Sequence, residues 1–319
     1  MASLKELAAR PELLTGGHRL CAGCGAPMAV RQLLKAVKTP IVVGCATGCL
    51  EVSTTIYPFT AWRCSYIHSA FENVAATISG VEAAYKSLKR QGKVKDDFRF
   101  IAFGGDGGTY DIGFQSLSGA AERGHRMVYV CYDNEAYMNT GIQRSSATPR
   151  WADTTTSPAG KVVPGKPGRR KDLTAIMAAH NIPYVAQASP SHWNDLVRKM
   201  EKALDADGPA FLNVLAPCPR GWRCDAAETV SILRVAVDTC YWPLFEVESG
   251  VWRLTQRPKE KRPVVDFLKP QGRFAHLFKP GREGLLDEIQ ADVDHDWEAL
   301  LARCEQTGGA AGQAGRPGA

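Results

Sequence analysis

Two pairs of residues in this chain have types and spacings that chemistry uses. Cys21 and Cys24 form a C-x-x-C pair inside the turn-rich stretch GHRLCAGCGAP. That spacing begins a disulfide, a redox dithiol, half of a zinc site or half of an iron–sulfur site. Asp106 stands within GGDGG at the end of an apolar run, and Asn134 follows it by 28 positions, at the end of a second such run. Glycines at that place let a backbone approach a phosphate closely. A carboxylate among them repels a bare phosphate, so a divalent cation between the two is expected. An oxygen ligand from Asn134 completes a hard Mg²⁺ shell. Taken alone, GDGG reads equally well as a turn whose aspartate caps a helix. Neither GxGxxG nor GxxxxGK[ST] occurs, so nicotinamide and P-loop readings have little support.

The elements that must position these residues alternate. PIVVGCA, FRFIAFGG, MVYVCYD and AFLNVLAPC read as buried strands. FENVAATISGVEAAYKSLKRQG, FQSLSGAAERG and DLTAIMAAHNI have helical spacing, the first ending in basic residues and then glycine. Strands alternating with helices predict an α/β fold with a mainly parallel sheet and helices on both faces. In such sheets ligands bind at the carboxyl ends of the strands, where Asp106 and Asn134 fall. Arg144 to Lys171 reads as a long functional or partner-facing loop rich in Thr, Ser, Pro and Gly. The expected organisation is one cofactor-binding α/β domain over 1–218, a C-terminal extension over 219–307 laid on the core or a partner, and a low-complexity disordered tail over 308–319.

The chain has 319 residues, 45% hydrophobic and 23% charged, ordinary for a globular protein. It has no apolar run long enough for a membrane span, and its N-terminus lacks an apolar signal core, which predicts a cytoplasmic protein. The net charge of +6 gathers in KPGRRKD and RPKEKRP. Those read first as solvated loops, and second as docks for an acidic partner. No aromatics interleave with them, so no nucleic-acid partner is expected. Ten cysteines in a reducing compartment are not structural disulfides, leaving a subset as metal or cluster ligands.

Asp106 and Asn134 together resemble the thiamine diphosphate motif, in which GDG is followed at this separation by an asparagine. The resemblance places Mg²⁺ on Asp106, Asn134 and the carbonyl of Ala136, with Gly105 and Gly107 against the diphosphate. CAGCGA, ATGCLE, HSAFENVAATISGVEAAYK, GGDGGTYDIG, CYDNEAYMNTGIQRSSATP and APCPRGW narrow it further. From about Gly17 to about Leu277 the chain closely resembles the β subunits of the pyruvate:ferredoxin oxidoreductases (pyruvate synthases), within the 2-oxoacid:ferredoxin oxidoreductases. That implies a [4Fe–4S] cluster on Cys21, Cys24, Cys49 and Cys218, since four thiolates suit a cubane. It implies Phe71 and Asn73 near the cofactor, and Asn139 as a catalytic residue. By spacing alone Cys45 and Cys224 rival Cys49 and Cys218; only the resemblance selects between them. Zinc accepts the same four thiolates but offers no electron path. A thioredoxin-like dithiol wants the C-x-x-C at a helix start after a strand, which the glycine after Cys24 argues against. His18 is either a polar core residue or a neighbour of the cofactor, and the aromatics of YPFTAW read as core or interface.

The implied reaction is oxidative decarboxylation of a 2-oxoacid, with the acyl group passing to coenzyme A and single electrons leaving through the cluster towards ferredoxin. The glutamate that activates thiamine in this family belongs to an α-type subunit carrying the pyrimidine-binding domain. An obligate complex with that subunit, and with γ and ferredoxin-like δ subunits, is therefore expected. Alternatives are another 2-oxoacid (2-oxoglutarate, a branched-chain acid, an aryl pyruvate or oxalate), a non-oxidative thiamine-dependent decarboxylase, or an electron-transfer subunit that has lost thiamine.

Overall fold

The β-branched run Ile41–Ala46 forms β1, the first strand of an eight-stranded sheet. The others are β2 (Ser65–Ser69), β3 (Arg99–Gly105), β4 (Val128–Asp133), β5 (Tyr184–Ala188), β6 (Ala210–Leu215), β7 (Leu244–Glu248) and β8 (Val251–Gln256). The computed structural model describes residues 3–308. The sheet order is β2-β1-β3-β4-β6-β5-β7-β8. The first six strands are parallel, and β7 joins β5 antiparallel. Strands β4, β5 and β6 are buried along their whole length, as parallel strands covered on both faces must be.

Helices cover both faces and create two apolar cores. On one face lie α2 (Gly25–Leu34) and α7 (Trp193–Asp205). Leu196, Val197, Met200, Ala203 and Leu204 give α7 a buried stripe at helical spacing, which seats it against β5 and β6. On the other face lie α4 (Val74–Arg90), α5 (Phe114–Glu122), α6 (Leu173–Ala178), α9 (Thr229–Asp238), α10 (Val265–Leu268) and the long α11 (Glu283–Gln306). The remaining helices are short: α1 (Leu4–Ala9), α3 (Cys49–Thr54) and α8 (Pro219–Trp222). No helix among the described residues is long and apolar enough to cross a membrane.

Residues after Pro219 build part of this same sheet. Ser249 and Gly250 both have positive φ, 50° and 82°, the two-residue turn whose twist suits a hairpin, and it joins β7 to β8. The loop 144–171 has no regular element, yet Ser145, Thr148, Thr154 and Lys166 in it are buried. Residues 309–319 of the low-complexity tail lie outside the described residues.

Candidate functional site

The site sits where the sheet order changes direction. From β1 the chain crosses to β2 on one side, and from β3 to β4 on the other, so the carboxyl ends of β1 and β3 flank a crevice. Four adjacent strands deliver residues to this edge. β1 leads into Thr47, Gly48 and Cys49; β3 into Gly105 and Asp106; β4 into Asn134 and Ala136; β6 into Pro217 and Cys218. Cys49, Phe71, Gly105, Asp106, Gly107, Asn134, Ala136 and Asn139 line one shallow cleft of about 20 Å³. A cavity of about 330 Å³, lined among others by Trp242, Phe245, Trp252 and Arg303, lies elsewhere and includes none of these residues.

Asp106 is fully buried at the start of a wide, π-type turn over 107–112. Its Oδ1 accepts the Asn134 backbone N–H at 3.2 Å and its Oδ2 the Ser145 hydroxyl at 2.5 Å. Burial raises its pKa well above the usual carboxylate range, and the neighbouring Asp133 adds to this; the two hydrogen bonds oppose it. The Asn134 side-chain oxygen lies 2.8 Å from both Asp106 Oδ1 and Ala136 O; only the turned-over amide, with its nitrogen at that place, donates to both. As it stands, three oxygens, from a carboxylate, an amide and a backbone carbonyl, meet at one point, an arrangement that a cation between them satisfies. Adjacent ligands of an octahedral Mg²⁺ with bonds of about 2.1 Å stand about 3 Å apart. The donor set and its spacing therefore fit a hard divalent cation.

The glycines of this segment are demanded by aromatic neighbours as well as by any phosphate. A Cβ on Gly107 would meet the Tyr137 ring at 2.5 Å, one on Gly104 the Tyr129 hydroxyl at 2.4 Å, and one on Gly108 the Phe71 carbonyl at 2.8 Å. Phe71 packs on Tyr137, with ring centres 5.7 Å apart. Asn73 is exposed at the N-cap of α4 and does not line the cleft. His18 Nδ1 is buried without a partner. In YPFTAW, Trp62 packs in the core against Tyr66 and Phe103, while Tyr57 and Phe59 are exposed.

The four cysteines come from three loops. Strands β1 and β6 are three positions apart, about 14 Å at the usual spacing, so Cys49 and Cys218 must lean towards one another. They do so with Cys21 and Cys24. Burial pushes the Cys49 thiol up to about 12, and the charges of Cys218, Cys24 and Cys21 push it the same way. The Cys24 thiol is likewise pushed up to about 12, by burial first and by Cys218 and Cys21. Gly25 N–H donates to Pro217 O at 2.8 Å, and a Cβ on Gly25 would strike Pro217 at 2.2 Å, so the C-x-x-C turn rests on the segment carrying Cys218. Cys45 is fully buried within β1, and Cys224 feels Cys218 but is the less buried of the two. Among the described residues no three His, Cys, Asp or Glu side chains converge closely enough for one metal ion. A single tetrahedral zinc needs all four thiolates on one ion, whereas a cubane takes each thiolate on a separate iron.

One expectation is corrected here. Glycine after Cys24 was to argue against a helix start, yet α2 begins at Gly25 with Cys24 as its N-cap. Glycine is used because the helix start is pressed against Pro217 and Ala216. The basic cluster KPGRRKD is also not a plain solvated loop. Lys166 is buried and donates to the Thr148 and Arg169 carbonyls. Arg170 pairs with Asp133 at 2.6 Å and with Glu135 at 2.9 Å. Glu135 also pairs with Arg273 and accepts the Tyr241 hydroxyl. Of these partners, Ser145, Arg170 and Arg273 carry no local sequence signal of a site. Glu135 was adjacent to the recognised asparagine but indistinguishable from a surface residue.

Residues 43–214 match the thiamine pyrophosphate enzyme C-terminal TPP-binding domain. The chain is 56% identical over 300 residues to pyruvate synthase subunit PorB of Thermotoga maritima, covering 92% of this chain and 93% of that protein. It is 42% identical over 294 residues to ketoisovalerate oxidoreductase subunit VorB of Pyrococcus abyssi, covering 92% and 93%. A solved 2-oxoglutarate:ferredoxin oxidoreductase from Magnetococcus marinus has the same fold, with a TM-score of 0.52 and 21% identity over 68% of this chain and 76% of that one.

Proposed function

We propose, for a chain that belongs to the pyruvate synthase β-subunit family of thiamine diphosphate-dependent 2-oxoacid:ferredoxin oxidoreductases, that its cleft holds the diphosphate end of thiamine diphosphate through Mg²⁺ beside a [4Fe–4S] cluster. The overall reaction is pyruvate, coenzyme A and oxidised ferredoxin to acetyl-CoA, CO₂ and reduced ferredoxin. The observation that carries this reading is that Cys49 lines the same cleft as Asp106, Asn134 and Ala136. A decarboxylase that only protonates its product has no use for thiols at that place. Thiamine diphosphate, when bound, supplies the nucleophilic carbon and electron sink that a 2-oxoacid needs to lose CO₂.

This chain's residues divide the work. Asp106, Asn134 and the Ala136 carbonyl hold the cation; Gly105 and Gly107 leave room for the diphosphate; Phe71 and Tyr137 wall the cleft. Cys21, Cys24, Cys49 and Cys218 hold the cluster. Asn139, exposed on the cleft lining, is placed to touch the substrate, and Asn73 lies too far out to share that role on this chain alone. The cleft is too small to enclose a whole cofactor, which supports an α-type subunit supplying the pyrimidine half, with γ and ferredoxin-like δ subunits carrying electrons onward. All ten cysteines are unpaired, which supports a reducing cytoplasm.

The VorB relative favours one second reading, a branched-chain 2-oxoacid as substrate. The complex, purified without oxygen, tests both. The expected results are a broad visible absorption bleached by pyruvate with coenzyme A, four irons per chain beyond those carried by the δ subunit, and one thiamine diphosphate per chain. Bleaching by 2-oxoisovalerate but not pyruvate transfers the assignment to the second reading. Thiamine diphosphate with no iron beyond that of the δ subunit overturns the redox role.

A further inference from the structure

The turn that carries the cation ligands is gripped from behind by residues that never reach the cleft. Glu135, between Asn134 and Ala136, has φ 70° and a fully buried side chain. A left-handed glutamate is uncommon and persists only where its surroundings hold it. Its carboxylate is held by Arg170 at 2.9 Å, by Arg273 and by the Tyr241 hydroxyl, and its N–H donates to Asp133 Oδ1 at 3.0 Å. Three successive carbonyls leave this turn. That of Asn134 accepts Trp222 Nε1 at 2.9 Å, and that of Glu135 accepts the Thr148 hydroxyl at 2.7 Å. The third, of Ala136, faces the Asn134 amide and is left for a ligand. The Arg273 guanidinium stacks on the Trp222 ring at 4.3 Å, so one arginine braces both the Glu135 carboxylate and the donor to Asn134. Arg170 comes from the long loop and Arg273 from the C-terminal region, far apart in sequence.

We propose that Arg273, with Arg170, is a positioning residue for the cation site: by gripping Glu135 it fixes the backbone on either side, so that the Asn134 amide and the Ala136 carbonyl converge on Asp106. The inference rests on the cofactor reading given above. Position and charge make opposite predictions. Removing an arginine paired with the buried Glu135 carboxylate, whose charge is felt at Asp106, should, by charge alone, tighten binding of a divalent cation. Losing a positioning contact behind a metal ligand weakens it, by about 10- to 100-fold.

The test is made on the native complex stripped of thiamine diphosphate and divalent cation. The apparent Kd for Mg²⁺ is read from calorimetric titration in saturating thiamine diphosphate. Arg273→Met should raise that Kd by about 10- to 100-fold with the cluster absorption unchanged, and Arg273→Lys should lie between it and wild type. Arg170→Met should act in the same direction and serves if Arg273→Met fails to accumulate. Lys199→Met is the control, since Lys199 is buried in a separate network with Asp195 and Thr255. It should lower Tm and leave the Mg²⁺ Kd unchanged. An unchanged or tighter Kd in the arginine variants overturns the proposal, as does an equal rise in Lys199→Met. Wild-type complex that binds thiamine diphosphate with no need of Mg²⁺ instead overturns the cofactor reading itself.

Discussion

At the ends of β3 and β4, Asp106 and Glu135 are sealed from solvent and their carboxylates are matched with donors from the loop and from the C-terminal region, while Trp222 of α8 donates to the Asn134 carbonyl between them. Cys49 lines the same cleft, and of the four cysteines Cys21 is exposed while Cys24, Cys49 and Cys218 are half-buried, the set arriving on three different segments. The first region is built before anything binds. The second brings its thiols into range of one another's charge, with the C-x-x-C turn resting on the Cys218 segment through the Gly25 N–H to Pro217 carbonyl bond. A rigid oxygen cage suits a small hard ion that tolerates little distortion. Soft thiolates on loops suit a larger inorganic unit that itself closes the site, so that binding it is partly folding.

The comparison breaks most visibly at Asp106. Asp106→Ala should abolish retention of thiamine diphosphate and Mg²⁺ while leaving iron content near wild type, because the carboxylate's hydrogen-bond partners are Asn134 and Ser145 and none of the four cysteines. Cofactor content equal to wild type, measured after gel filtration, would remove the cation assignment. Next in size is the cluster. Serine at Cys21, Cys24, Cys49 or Cys218 should lower iron content and the reduced-state paramagnetic resonance signal while thiamine diphosphate stays bound. Serine at Cys45 or Cys224 should do neither. A cluster lost in Cys45→Ser and kept in Cys49→Ser would show that the ligand set is wrong.

A smaller effect sharpens the contrast on the rigid side. Ser145→Ala leaves a buried carboxylate oxygen of Asp106 without its hydroxyl donor. Thermal denaturation should show a loss of about 1–3 kcal/mol. The smallest effect belongs to the loose side. In the iron-free chain, iodoacetamide should modify exposed Cys21 first. Cys24 and Cys49, whose thiols are pushed up to about 12, stay protonated and slow at pH 8 and gain rate as the pH rises towards that value. Peptide mapping that finds Cys49 reacting as fast as Cys21 at pH 8 would mean that the loops hold it open.

The strands that carry the site were legible because each is a short apolar run bounded by Gly, Asp or Pro, and four of them, β1, β3, β4 and β6, end at the residues that matter. The position of Asp106 and Asn134 at strand ends was legible from the sequence, and the structure brings both to one cleft. Other parts were legible only in hindsight. The E-S-G-V turn before β8 is a hairpin signal, and the stripe of α7 is strongly helical, yet neither bears on chemistry and both were passed over. β2 and β5 are too short and mixed to stand out from loop.

By itself the sequence determined the alternation of strands and helices, the place of the glycine-flanked aspartate at a strand end, and the supply of thiols. These follow from local pattern, since periodicity and turn chemistry act over a few residues. Only the tertiary structure decided which cations are solvated and which are buried. Arg169, Arg170 and Lys171 are consecutive, yet Arg169 pairs with Asp292 and Asp296 of α11 on the surface while Arg170 turns in to Asp133 and Glu135. It also decided that Arg273, 138 positions from Glu135, grips the turn between Asn134 and Ala136. A charge finds its partner by distance in space, and chain separation carries no record of that distance until the sheet has closed.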